Sequence, residues 1–513
     1  MRKLENLKPE RVFYYFEEIS KIPRNSYEEK EISDFLMNFG KEHGLESYRD
    51  DVFNVILRKK ASPGYENSPK VVLQGHTDMV CEKAEDSTHD FKKDPINLVV
   101  DGKYLKADKT TLGADNGIAV AMMLAIAEDD KLEHGPMEFL FTTSEEIDLG
   151  GAMALKPGVL QGDMLINLDS EEEGILTAGS AGGENIDVIL PIKKVTSDVN
   201  FSYKIKLQGF FGGHSGSEIH KNRKNSNKAL NEILNLLNEK SDIYLVSVSG
   251  GGKDNAIPRT AEAVISSKED VKSIIEAVAK EVKEKYIKDE PQTEILVEEV
   301  DKITETLDKE SADKYIHLLE EIPTGVYSFM KEYPEIVEAS DNLAIVITGE
   351  DNIRIITSMR SSEPHVLEEL KGKIVAIADK YNASYEFSAK YPEWRYRSES
   401  VLREKAVETW KELTGKDMIV QVIHAGLECG AIMEHYPDMD FISIGPDMQD
   451  VHTPEEKLDI VSTEKNLKIK NKKYFIFYAK FNNPVRFQFG LFCTGVFLFI
   501  HRKIIFIRKY GII

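Results

Sequence analysis

Three cysteines, Cys81, Cys429 and Cys493, are all that 513 residues contain, and their scatter excludes a disulfide framework. No C-x-x-C pair occurs, so nothing suggests a structural thiolate-bound zinc. A reducing compartment fits this usage. Positive charge is also scarce: 66 basic residues against 88 acidic ones leave a formal charge of −22. Nucleic acid and anionic membrane both reward a basic face, so neither is expected as a partner. Long apolar runs are missing too. The longest uncharged run of the C-terminal stretch, Phe487–Ile500, falls short of the ~18 residues that span a bilayer. The opening Met1-Arg2-Lys3-Leu4-Glu5-Asn6 has acid within its first turns and no apolar segment of a secretory signal, so a cytoplasmic setting is expected. What remains is a soluble acidic protein acting on small molecules.

At 513 residues the chain exceeds the roughly 250–300 that one core supports, and two domains are expected. Apolar positions Val12, Phe13, Phe16, Ile19 and Ile22 predict a helix after Pro9, and a second is predicted over Glu28–His43. Strand-like runs follow at Asp51–Leu57, Val71–Gln74, Met137–Thr142 and Met164–Leu168, with a helical run Ile118–Ala127 between them. This alternation predicts an α/β domain with a mixed, mostly parallel sheet flanked by helices. A glycine cluster, Gly179-Ser180-Ala181-Gly182-Gly183, marks a change of style. Strands predicted at Ser202–Leu207, Asp242–Val248, Ala344–Thr348 and Ile353–Met359 then alternate with helices at Asn225–Lys240, Lys268–Lys285, Lys309–Glu320 and Glu363–Tyr381. The expected organisation is a catalytic domain in two parts, 1–184 and 396–470, with an inserted α+β domain at 185–395 returning through a hinge at Tyr391-Pro392-Glu393-Trp394. The tail, 471–513, mixes aromatic, apolar and basic residues unlike the rest; it reads as a divergent or out-of-frame extension, with a membrane-anchoring tail as the alternative.

Chemistry concentrates at the ends of the apolar runs. His76 closes the first, in His76-Thr77-Asp78; a carboxylate two residues on can orient an imidazole whose other nitrogen binds metal. By itself His-x-Asp is more often an ordinary satisfied pair. Downstream come Gly113-Ala114-Asp115-Asn116-Gly117, Ser144-Glu145-Glu146, Asp169 after Leu168, and Val451-His452-Thr453-Pro454. In open α/β sheets ligands gather outside the carboxyl ends of the strands, so these residues can converge. Two histidines and several carboxylates without thiolate suit a pair of zinc- or manganese-like ions. By itself a Glu145-Glu146 pair in so acidic a chain is far more often an ordinary solvated acidic loop.

In this order the motifs resemble the co-catalytic two-zinc aminoacylase/carboxypeptidase family of metallopeptidases, and within it the dipeptidase subfamily. Asn167-Leu168-Asp169-Ser170-Glu171-Glu172, Gly212-Gly213-His214-Ser215-Gly216 and His424-Ala425-Gly426-Leu427-Glu428-Cys429-Gly430 add to the likeness, which covers about Leu4 to Asn466. The resemblance implies two divalent ions, zinc expected and cobalt or manganese as alternatives, held by His76 and Asp169 on one side, Glu146 and His452 on the other, with Asp115 bridging. It implies that Asp78 orients His76, that the Asp115–Asn116 peptide bond is cis, and that Glu145 is the general base beside a metal-bridging hydroxide. In the inserted domain it implies oxyanion stabilisation by His214, a carboxylate clamp at Arg360 and a weaker substrate contact at Asn255. Hydrolysis of unblocked dipeptides, Xaa-His types included, is the implied activity. A deacylase or carboxypeptidase of the same fold is the first alternative and a metal-retaining scaffold or binding protein the second. Small peptides are the implied partners, and a homodimer through the inserted domain is a further expectation.

Overall fold

The computed structural model describes residues 2–331 and 334–466. The tail expected at 471–513 lies outside the described residues. Two compact units are present, one comprising the chain up to Gly179, Tyr396–Val422 and the segment from Leu427, the other Ser180–Arg395 with Ile423–Gly426.

The first unit is built on an eight-stranded sheet. Its central strands, Met137–Thr142, Val71–His76, Met164–Asn167 and Asp440–Ser443, pair in parallel, in that order. Their apolar runs are continuous because helices cover both faces of such strands. Antiparallel strands Val55–Lys59 and Glu46–Arg49 extend one edge. Parallel register aligns the C-terminal ends: His76 lies opposite Thr142, and Gln74 opposite Asn167. The helix Ala114–Glu128 is apolar all round and buried along Ile118–Ala127, as a core helix must be. It packs on the strand Val71–His76 and on the helix Glu10–Ile19, whose Val12, Phe13, Phe16 and Ile19 form one buried stripe. The approach to the strand is close enough that a Cβ on Gly75 would sit 2.7 Å from the Ala119 Cβ.

The strand expected at Asp51–Leu57 instead begins at Val55 and runs to Lys59. Asp50 explains the shift: its carboxylate accepts the backbone N–H groups of Val52 and Asn54 at 3.1 and 2.9 Å, folding 50–54 into a side-chain-closed turn with Phe53 at φ 71°.

The second unit carries a nine-stranded antiparallel sheet. Helices Ser226–Lys240, Lys272–Tyr286, Lys309–Glu321 and Pro364–Lys380 accompany it. Asn225 and Asp308 cap two of them by accepting first-turn backbone N–H groups. The strand predicted from Ala344 starts already at Val337, because the polar Ser340, Asp341 and Asn342, which break the apolar pattern, are themselves buried within it. Ser180 and Trp394 exchange backbone hydrogen bonds of 2.9 and 3.0 Å, joining the unit's entering and leaving segments.

Candidate metal centre

His76, 1% exposed at its strand end, points Nε2 at two carboxylates: Asp115 Oδ1 at 3.1 Å and Asp169 Oδ1 at 3.5 Å. Its Nδ1 faces Asp78, 3.3 Å from Oδ1 and 3.2 Å from the carbonyl oxygen. On the other side, His452 Nε2 lies 3.1 Å from Asp115 Oδ2 and 2.9 Å from Glu146 Oε2. Asp115 thus turns one oxygen to each histidine. Ligand atoms of His76, Asp115 and Glu146 all fall within 4.8 Å of one another. The Glu145 carboxylate stands further off, its Oε2 3.9 Å from His76 Nε2.

Charge crowding sets the protonation balance. Burial, reinforced by repulsion from Asp169, Glu146 and Glu428, holds the Glu145 carboxyl well above the usual range, with His76 opposing. Burial likewise lifts Asp169 to about 6, and Glu171 close by to about 8. Asp115 is also buried, yet its contacts to His452 and His76 pull it far below the ordinary carboxylate range. His452, hydrogen-bonded to Asp115 and Glu146, rises to about 11.

The loops that present these groups are themselves held by buried charges. Glu456 accepts four consecutive backbone N–H groups: Leu112 and Gly113 on Oε2 at 2.8 and 3.0 Å, Ala114 and Asp115 on Oε1 at 2.8 and 3.4 Å. The buried guanidinium of Arg24 donates to the carbonyls of Thr77, Asp78 and Gly113, tying the His76 loop to the Asp115 loop. Gly113 has φ +67°, and a Cβ there would lie 2.4 Å from Arg24 Nη2, so glycine answers both backbone and space. The Asp115–Asn116 peptide bond is cis.

Asp78 does more than face His76. Its oxygens accept the backbone N–H groups of Glu145 and Glu146 at 3.1 and 3.2 Å and the Ser26 hydroxyl at 2.7 Å. One carboxylate therefore fixes the histidine and the Glu-Glu turn together. Glu29 accepts the N–H and hydroxyl of Ser144, which sits at φ 54°, while His452 sits at φ 62°. Side chains with Cβ atoms rarely adopt this region, and here Ser144 adjoins the Glu145-Glu146 pair while His452 itself contacts Asp115 and Glu146.

Arg24, Glu29 and Glu456 escape the sequence reading because their partners are largely backbone groups that carry no side-chain signature. The available signal was a charge set within an apolar or loop context, such as Arg24 directly after Ile22-Pro23.

The remaining predicted residues lie in the second unit. His214 pairs with Ala256 across a short antiparallel ladder, and the Asn255 carbonyl accepts the Ser215 N–H at 2.9 Å. His214 Nδ1 accepts the N–H groups of Gly216 and Ser217 at 3.1 and 3.0 Å, which leaves Nε2 as the proton-bearing nitrogen of the neutral ring. Arg360 is 7% exposed, donates from Nη1 to the Tyr391 hydroxyl at 2.6 Å, and has a buried Nε without a hydrogen-bond partner. Burial, with Arg360 and His214 nearby, pushes the His424 imidazole down to about 3.

The donor set fits a metal pair. It offers imidazole nitrogen and carboxylate oxygen without thiolate, and Glu146 Oε1 is buried with no hydrogen-bond partner. Residues 72–470 match the model of peptidase family M20/M25/M40. The chain belongs to this family. Within M20/M25/M40, the cytosol non-specific dipeptidase of Escherichia coli (strain K12) is 37% identical over 471 residues, 90% of this chain and 96% of that protein. The crystal structure of aminoacylhistidine dipeptidase from Vibrio alginolyticus superposes with a TM-score of 0.80 at 34% identity, covering 90% of this chain and 95% of that one. A Staphylococcus aureus tripeptidase, TM-score 0.55 at 16% identity over 90% and 95%, shares the fold. Among the described residues no helix is long and apolar enough to cross a membrane.

Proposed function

We propose that the chain is a two-metal dipeptidase in which Glu145 is the general base. The observation that carries this reading is Asp115 set between His76 and His452, one oxygen to each, with Asp169 and Glu146 completing the two sides. His76 and Asp169 would hold one ion, His452 and Glu146 the other, and Asp115 both. When bound, such a pair supplies Lewis-acid polarisation of a carbonyl and acidification of water. Zinc is the ion we expect, with manganese and cobalt as alternatives to be separated by elemental analysis.

Glu145 stands beside the proposed ligands, its Oε2 3.9 Å from His76 Nε2, where a carboxylate can take a proton from water and return it. In the proposed step water oxygen bonds to the peptide carbonyl carbon while Glu145 takes the water's proton. The C–N bond then breaks as Glu145 passes that proton to the leaving amine nitrogen. His214, whose Nδ1 is occupied by two backbone donors, presents a ring N–H suited to a developing oxyanion. Arg360, with its unpartnered buried Nε, is suited to the substrate's terminal carboxylate, with Asn255 a weaker contact. The names of the Escherichia coli and Vibrio alginolyticus relatives support dipeptides as substrates and, for the first, a cytosolic setting.

Turnover of a panel of free dipeptides, tripeptides and N-acyl amino acids, by chelator-stripped and metal-restored protein, tests the reading. Metal-dependent cleavage confined mainly to dipeptides is expected. Preference for N-acyl amino acids would replace it with a deacylase, and no cleavage of any class with metal bound would leave a binding protein.

A further inference from the structure

Three adjacent strand ends each place a polar side chain just before a residue of the metal group. Gln74 precedes His76 by two positions, Thr142 precedes Glu146 by four, and Asn167 precedes Asp169 by two. All three are buried. Gln74 and Thr142 meet at Glu428, which opens the helix Glu428–His435 and is itself fully buried, and Asn167 joins them through Gln74.

Glu428 Oε2 accepts the Gln74 amide and, at 2.9 Å, the Thr142 hydroxyl, while the same Gln74 amide also donates to Thr142 Oγ1 at 3.0 Å. Gln74 Oε1 accepts the Asn167 amide at 2.6 Å. Asn167 Oδ1 in turn accepts the Asp169 backbone N–H at 3.3 Å and the Ser443 hydroxyl at 2.5 Å. The Thr142 carbonyl accepts both the N–H and the hydroxyl of Thr77, the residue after His76, at 2.8 Å each. A continuous chain of side-chain hydrogen bonds therefore crosses the strands that lead to His76, Glu146 and Asp169, and Glu428 is the acceptor on which two of its donors converge.

A buried carboxyl kept only for packing is replaceable by an apolar residue of the same shape. That exchange here would leave the Gln74 amide and Thr142 hydroxyl short of an acceptor directly beneath the metal group. Ligand side chains depend on such outer hydrogen bonds for their orientation. The Glu428 Oε1 takes no hydrogen bond, so the role rests on Oε2 alone, and a glutamine amide oxygen can reproduce it.

We propose that Glu428 is a positioning residue of the metal centre, acting through Gln74, Thr142 and Asn167 to hold the three ligand-bearing strand ends in their mutual register. This rests on the metal-centre reading above. The test compares metal-loaded parent, Glu428→Leu, Glu428→Gln and Thr142→Val for metal affinity, by competition with a chelator, and for kcat and KM on a free dipeptide. Glu428→Leu is expected to lose ~10–100-fold in metal affinity and in kcat, with KM little changed. Glu428→Gln should restore both to near the parent, and Thr142→Val should show a smaller loss of the same kind. A folded Glu428→Leu with parental affinity and kcat would overturn the proposal, as would a Glu428→Gln as impaired as Glu428→Leu. Should Glu428→Leu fail to fold, Thr142→Val decides: parental values there overturn the proposal, and a shared loss of affinity and kcat supports it. A parent that binds no divalent ion would instead overturn the metal-centre reading itself.

Discussion

Glu456 Oε1 accepts the backbone N–H of Asp115 at 3.4 Å, although the two residues stand 341 apart in sequence. The same carboxylate collects the N–H groups of the three preceding residues, so one side chain holds the segment from which Asp115 reaches both histidines. Hydrogen bonds to a charged acceptor contribute more than neutral ones, and an orphaned buried donor is costly. Glu456→Ala should therefore destabilise the metal-free protein by at least about 3 kcal/mol in urea unfolding. It should also lower occupancy at both metal positions, measured by elemental analysis. Unchanged stability together with full occupancy would show that the Asp115 loop holds itself.

Asp115→Ala and His452→Ala should differ in kind. Asp115 faces both histidines at 3.1 Å, whereas His452 meets only Asp115 and Glu146 among the proposed ligands. Loss of Asp115 should impair both ions at once, and loss of His452 mainly one. Metal stoichiometry after dialysis reads this, and equal losses in the two variants would remove the case for a single shared carboxylate.

How much of this was legible in the sequence differs from residue to residue. His76, Glu146 and Asp169 follow apolar runs closely, and parallel pairing brings such run ends together, so spacing along the chain translated into proximity; Asp115 instead opens the apolar helix Ala114–Glu128, which packs on the His76 strand. The strand at Val55 was misread because Asp50 closes a turn through its side chain, a contact that apolar alternation does not register. Asp341 and Asn342 hid the first half of the strand Val337–Thr348 for the opposite reason: they look like loop residues and are buried. Arg24 and Glu456 stayed invisible, and Glu428 stood in a quoted motif without a role, since their partners are backbone groups or lie up to 354 residues away.

In the second unit, His214→Ala and Arg360→Ala should leave metal content intact but fail differently. A lost oxyanion donor lowers kcat, by ~10²–10³-fold. A lost carboxylate clamp raises KM for a free dipeptide and matters far less for its C-terminal amide. If Arg360→Ala changed both substrates in the parental ratio, the clamp would lie at another residue.

Asp341 gives stability a pH dependence independent of the metal group. Burial pushes its carboxyl up to about 7, against the opposing pulls of the Thr357 hydroxyl and the Lys228 ammonium. The native state thus holds its proton where the unfolded chain, with an ordinary carboxyl near 4, has released it. This contribution is fully present below about pH 4 and is lost as pH rises to about 7. Asp341→Asn stays neutral throughout, so its unfolding free energy relative to the parent should rise across that window, by up to about 4 kcal/mol, and then level off. Urea unfolding of both proteins at a series of pH values checks the sign, and a difference that is flat with pH would mean Asp341 is ionised in the native state.

The central claim is that Glu146 holds metal while its neighbour Glu145 handles the proton, and Glu145→Gln tests it most directly. Metal content and single-dipeptide turnover are measured on the same metal-loaded sample. The account predicts both ions retained and turnover reduced by at least ~10²-fold, the scale of a missing general base. Loss of metal with residual activity in proportion to what remains would make Glu145 a ligand and contradict the division of the pair.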